Sequence, residues 1–233
     1  MNFIKNIIFI STIAVVLSVA KTSKNDVSHI FVQQLKPHIC YKNDVCDLST
    51  INSWYIEEFK SWVQNQTYLC RNNYDQFHKD ISPISETLTK KWGLEGYTRP
   101  GPIENLHLKW RNDGICVDEL EYFYKSLELF DKYNMNQILR ENNIFPNNNY
   151  TAQEISDAVS KGLGDKKPKV ECFDYNGDMQ LQKITLYFDK SFELIDSVRS
   201  FANCEPDTIL LYRDHIKKEY EYSSSAFHLH ISN

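Results

Sequence analysis

The period of the apolar residues changes along this chain, and each change predicts an element. Behind Lys5, residues 7–19 are almost continuously apolar, ending on the small residues Ser18, Val19 and Ala20. That is the pattern of a secretory signal peptide over residues 1–20, too short to span a bilayer comfortably. Residues 30–35 read as a strand ended by Pro37, and residues 54–56 as a second strand beyond a cysteine-bounded loop. Between 81 and 92 the apolar positions Ile84, Leu88 and Trp92 recur at helical spacing, with Gly93 at the stop. The glycines and prolines of 96–102 predict a loop. Residues 106–112 predict a short helix closed by Gly114. Residues 120–140, with Phe123, Leu127, Phe130, Ile138 and Leu139, predict one long amphipathic helix. Thr151 and Glu154 form a capping box for a further helix.

The last third returns to alternation. Residues 169–172 and 182–188 read as antiparallel strands around an Asn176-Gly177 turn, and 209–212 as a final strand. Residues 213–233 are polar and predict a loosely ordered C-terminal tail. The whole predicts an α+β fold in one domain, residues 21–212, with helices in the middle and a sheet built from both ends.

The six cysteines, Cys40, Cys46, Cys70, Cys116, Cys172 and Cys204, are an even set that an exported chain would use as three disulfides. Their spacing alone leaves fifteen pairings open. No Cys/His cluster has zinc spacing, so neither a metal nor a cofactor is expected. Asn65-Gln66-Thr67 and Asn149-Tyr150-Thr151 are sequons, making Asn65 and Asn149 expected glycosylation sites. The formal net charge is -5, and signal cleavage would remove only one charged residue, Lys5. A polyanion binder usually carries a basic excess, so any contact with RNA would be local and weak.

Phe31-Val32-Gln33-Gln34, then Cys40 and Cys46, then a strand, then Trp110, Gly114 and Cys116 ahead of a long helix, resemble the T2 ribonucleases. The likeness is greatest to the plant S-RNases and S-like RNases. Gly164-Asp165-Lys166-Lys167-Pro168-Lys169-Val170-Glu171-Cys172, followed by Lys183-Ile184-Thr185-Leu186, resembles the S-RNase C-terminal region. The resemblance runs over residues 30–212. It implies a T2-ribonuclease fold, a central antiparallel sheet with packed helices. It also implies the pairings Cys40–Cys46, Cys70–Cys116 and Cys172–Cys204. Most members have a fourth bridge, at the positions held here by Tyr187 and Ser197, so both of its cysteines are absent together.

The family's chemistry needs a general base for the ribose 2′-OH, a general acid for the leaving 5′-oxygen and a cation near phosphorus. The motif Phe-Thr-Ile-His-Gly-Leu-Trp-Pro aligns with residues 54–61 and places Glu57 at the histidine. The motif His-Glu-Trp-x-Lys-His-Gly-Thr-Cys aligns with residues 108–116. There Lys109 replaces the acid, Asn112 the lysine and Asp113 the second histidine. No catalytic group is intact, which implies a pseudoenzyme. Glu57 and Asp113 are expected close together across a cleft, as solvated acids or as a pair with one raised pKa. His107, one position from the remaining family histidine, reads as an ordinary surface residue.

Gln34 matches a base-contacting position of plant members. Tyr55, Phe59 and Trp110 join it as candidate base or RNA contacts, against a reading of Gln34 as an exposed strand residue and the aromatics as core. Lys60, Arg71 and Arg111 are candidate phosphate contacts, and His228-Leu229-His230 a candidate metal contact, against a solvated surface and tail. The resemblance therefore implies a secreted T2/S-RNase-like protein without endoribonuclease activity, kept for binding, defence, recognition or storage. The alternative is a weak endoribonuclease working through a 2′,3′-cyclic phosphate. Expected partners are RNA or nucleotides, weakly, or another protein. The chain is expected to be a monomer, off the membrane after signal cleavage, and extracellular or vacuolar.

Overall fold

Alternating burial from His29 to Leu35 puts β1 (His29–Leu35) at the centre of the fold, with Phe31, Gln33 and Leu35 turned into the core. β1 pairs antiparallel on one side with β3 (Trp54–Ser61) and on the other with β6 (Asp178–Phe188). The sheet continues through β5 (Lys169–Tyr175) to the short β8 (Phe201–Ala202), which runs parallel to β5. β7 (Leu194–Ile195) pairs with β6, and β4 (Asn148–Thr151) joins the sheet through β9 (Ile209–Tyr212). In this computed structural model the described residues are 28–36, 38–41, 54–61, 79–95, 99–114, 117–213 and 215–218. The expected signal peptide, Cys46, Cys70, Cys116, Asn65, Arg71 and residues 228–230 lie outside them.

Five α-helices are described, and three predicted boundaries change. The 81–92 helix opens as a 3-10 turn, Ser82–Ile84, with Pro83 in its first positions, and continues as α1 (Ser85–Lys91). α2 (Pro102–Asp113) starts earlier than the apolar pattern, at Pro102 itself. Proline suits a first helical position, where its missing N–H would have no partner anyway. The single long helix over 120–140 is two, α3 (Glu119–Lys132) and α4 (Met135–Glu141). Asn134 breaks it, because its side chain accepts from the Gln137 N–H at 3.1 Å and caps a new helix. The Thr151 capping box is present and starts α5 (Ala152–Gly162).

The β5–β6 hairpin turns where expected. Asn176 and Gly177 have φ of 56° and 89°, the positive pair that a tight two-residue hairpin requires. Part of the expected tail is ordered instead: β10 (His215–Lys218) pairs parallel with β2 (His38–Tyr41) in a separate two-stranded sheet. Neither strand was predicted, because each is only four residues long and its partner is far away in the sequence.

Helices cover one face of the sheet. Phe31, Phe59, Trp92, Trp110, Tyr122 and Phe123 are all essentially inaccessible between them. Fully burying a large apolar side chain contributes about 1.5–3 kcal/mol. Tyr122 also donates its hydroxyl to the Phe59 carbonyl oxygen at 2.6 Å, fixing α3 to β3. Gly114, directly after α2, lies so close to the Tyr122 ring that an added Cβ would stand 2.2 Å from it. The expected Cys172–Cys204 disulfide is formed, joining β5 to the segment after β8.

Candidate functional site

A bulge in β3 builds the site. Val32 pairs with Glu58 and Gln33 with Ile56, so Glu57 is an extra residue with no partner in β1. Normal alternation would send Glu57 and Glu58 to opposite faces. The bulge turns both away from the core, while Ile56 and Phe59 on either side remain buried.

Glu57 and Glu58 line a cleft of about 270 Å³ together with Lys109 and Asp113 from the end of α2, Glu171 from β5, and Val32 and Lys183. The structure therefore brings together Glu57, Lys109 and Asp113. Asn112 is on the exposed side of α2 and is not part of the cleft wall. Glu58, Glu171 and Lys183 were not identified from the motifs. A broken alternation at Glu57-Glu58 was the available signal for the first; the other two depend on sheet register.

The Lys109 ammonium donates to the Glu57 carbonyl oxygen at 2.8 Å and stands 5.1 Å from the centre of the Trp92 ring. Lys183 approaches the Glu57 carboxylate at 3.6 Å, and Lys60 is paired with Glu58. Glu171 binds Lys169 at 2.8 Å and accepts from Thr185 at 3.2 Å. Burial raises the Asp113 pKa, and the nearby Glu58 charge raises it further, against opposing pulls from Lys60 and Lys109. Burial lowers the Lys109 pKa, with Glu57 pulling the other way. Asp113 is a half-buried carboxyl that holds its proton more tightly than usual, through burial and Glu58 rather than through Glu57.

Among the described residues, no imidazole lines this cleft, and its wall carries four carboxylates and two ammonium groups. Such a wall can donate or accept a proton at Asp113, while each of its three glutamates is matched by a lysine: Glu57 by Lys183, Glu58 by Lys60 and Glu171 by Lys169. Among the described residues, no three His, Cys, Asp or Glu side chains converge where a metal ion could sit.

The other candidates separate. Gln34 and Tyr55 are half-buried neighbours across β1 and β3, with the Lys36 ammonium 5.7 Å from the Tyr55 ring centre. Phe59 and Trp110 are 1% and 0% exposed, so their faces pack in the core and offer no surface to a base. The Trp110 indole N–H donates to the Val117 carbonyl at 2.9 Å. Lys60 is paired and Arg111 is on the exposed face of α2. His107 is not an ordinary surface residue: its Nδ1 bonds at 2.5 Å to the carboxylate of Glu119, which is wholly buried and also accepts from the Lys79 backbone N–H at 3.0 Å. Spacing alone did not show that Glu119, at the polar start of a helix, points inward.

Known proteins resemble the chain in sequence and fold. Ribonuclease T2 of Danio rerio is 28% identical over 131 residues, which are 52% of this chain but only 53% of that protein. Ribonuclease S-6 of Pyrus pyrifolia is 30% identical over 193 residues, 76% of this chain and 82% of the relative. RNase NT, solved in complex with 5′-AMP, superposes with a TM-score of 0.59 at 23% identity, covering 80% of this chain and 98% of the other. Japanese pear S3-RNase gives 0.56 at 21% identity, covering 78% and 95%. The model of the Ribonuclease T2 family matches residues 27–204, so this chain belongs to the Ribonuclease T2 family.

Proposed function

We propose that this T2-family protein has lost endoribonuclease chemistry and serves as a secreted binding protein, in defence, recognition or storage. The reading is supported by the cleft wall: Glu57 and Asp113, which align with the family's motif histidines, both line it, and among the described residues no imidazole joins them there. Each general acid or base typically contributes about 10²–10⁴-fold to rate. Losing both removes most of the catalysis. RNase NT binds 5′-AMP, and a nucleotide or RNA is a weak partner for this chain through Gln34 and Tyr55. Digestion of RNA by the purified, oxidised protein tests the proposal, with no cleavage expected.

A second reading is a weak endoribonuclease making 2′,3′-cyclic phosphate ends. It is favoured by Asp113, whose raised pKa suits a proton carrier, standing in the same cleft as the Lys109 cation. Secretion rests on the signal-like residues 1–20; among the described residues, no helix is long and apolar enough to cross a membrane. Cys40–Cys46 and Cys70–Cys116 complete the proposed bridges. Glycans belong on Asn65 and Asn149, the latter exposed on β4. The protein acts as a monomer without a metal or cofactor.

A further inference from the structure

The turn between β6 and β7 carries Phe192 with φ of 60°, a conformation that bulky residues rarely adopt and that persists only where the surroundings impose it. Contacts from three directions impose it here. The Asp189 carboxylate accepts from the Ser191 N–H at 2.8 Å and the Glu193 N–H at 3.0 Å, and the Asp189 carbonyl accepts from the Phe192 N–H at 3.1 Å. The Phe192 ring stacks on the His29 ring, with centroids 3.8 Å and planes 11° apart. The Lys125 ammonium of α3 lies 4.7 Å from the centre of the same ring. Together the turn, α3 and the end of β3 enclose a cavity of about 400 Å³ that shares no lining residue with the cleft.

His29 opens β1 and is only 8% exposed, between Ser61 of β3 and Phe188 of β6. Its Nδ1 is bonded to the Ser61 hydroxyl at 3.0 Å. The charged groups lining the cavity with it are Glu121, Lys125 and Glu128 of α3 and Lys190 of the turn, with Asp189 beside them. Lys125 is bonded to Glu128 at 2.7 Å. Burial lowers the His29 pKa; Asp189 pulls it up, and Lys125 pushes it further down. A lifted turn leaves the ring in water, where it titrates at its ordinary value of 6.5. Lifting therefore takes up a proton, and below 6.5 each pH unit raises its equilibrium constant by at most about tenfold, until the closed form also titrates. We propose that the 189–192 turn is a lid on this cavity, latched by the neutral His29–Phe192 stack and released by acid.

The test is amide hydrogen exchange at Phe192 and Glu193 in the full oxidised protein, since both N–H groups are bonded only while the turn is closed. Corrected for the intrinsic effect of pH on exchange, their opening constant should rise at least about threefold between about pH 7 and about pH 5. His29→Phe keeps a ring in the stack and cannot titrate, so its opening constant should stay flat over that range. Phe192→Gly suits the φ of 60° and removes the stack. In that variant the imidazole of His29, followed by its ring proton shifts, should titrate near 6.5, above its value in the unmodified protein. The proposal is overturned by an opening constant that does not change with pH. It is overturned equally by a rise that persists in His29→Phe, which would assign the acid response to another group such as Asp189, or by a His29 titration that Phe192→Gly leaves unmoved.

Discussion

The Lys109 ammonium donates to the Glu57 carbonyl oxygen at 2.8 Å, across 52 residues of sequence, and so clamps the end of α2 to the bulge of β3. The same side chain covers the buried Trp92 ring. A hydrogen bond from a charged group contributes roughly 1.5–3 kcal/mol, and a cation over a ring about 0.5–1 kcal/mol. Lys109→Met keeps the aliphatic stem and loses both contacts. It should lower the unfolding free energy by about 2 kcal/mol in a urea titration, with an unchanged m-value.

Asp113 titrates against stability. Its folded pKa is raised, so the folded protein holds this proton after the unfolded chain has released it. The carboxylate therefore costs stability at neutral pH and costs nothing once the pH falls below the unfolded value, ordinarily 3.8. Asp113→Asn should raise the melting temperature at pH 7, and the gain should shrink on acidification and vanish near that value. Melting curves across pH check this; a gain that grows in acid would reverse the sign.

The His107–Glu119 pair is buried on the Glu119 side and links α2 to α3. Removing one partner of a buried pair typically costs 3–5 kcal/mol, because the other charge is left without compensation. His107 is partly exposed, which places His107→Ala at the low end, about 3 kcal/mol. Lys90→Ala, which breaks only the exposed Glu86–Lys90 pair on α1, should leave the stability essentially unchanged. Parallel thermal melts of the two variants give the comparison.

Cys172 and Cys204 are 32 residues apart in sequence. Closing a loop of that length constrains the unfolded chain by about 3–4 kcal/mol. Changing both to Ser should cost about that much in chemical denaturation. Non-reducing peptide mapping of the unmodified protein should find this link together with Cys40–Cys46 and Cys70–Cys116, and no free thiol.

The parts legible in the sequence were those with a local signature. The capping box at Thr151, the Asn176-Gly177 turn and the alternation of β1 each depend on residues a few positions apart. The fold class was legible by a different route, through the order and spacing of motifs from Phe31 to Tyr212. The break at Asn134 was missed because the apolar period runs on through it, while one side-chain cap redirects the backbone. Glu57, Lys109 and Asp113 were found by motif position, but Glu171 and Lys183 come to the same cleft only through the register of β1, β6 and β5. Phe59 and Trp110 looked like base contacts because aromatics serve both in cores and in binding sites. Burial decided between these roles, and burial is set by the tertiary packing.

The loss of RNA cleavage is tested most directly by incubating nuclease-free, fully oxidised protein with RNA between about pH 4 and pH 8, the range in which a histidine pair would titrate. The account predicts no cyclising cleavage at any pH. It also predicts at most feeble activity for the double variant Glu57→His and Asp113→His, improved by adding Lys109→Glu and Asn112→Lys. Cleavage by the unmodified protein that survives Glu57→Ala would contradict the account and place catalysis outside this cleft.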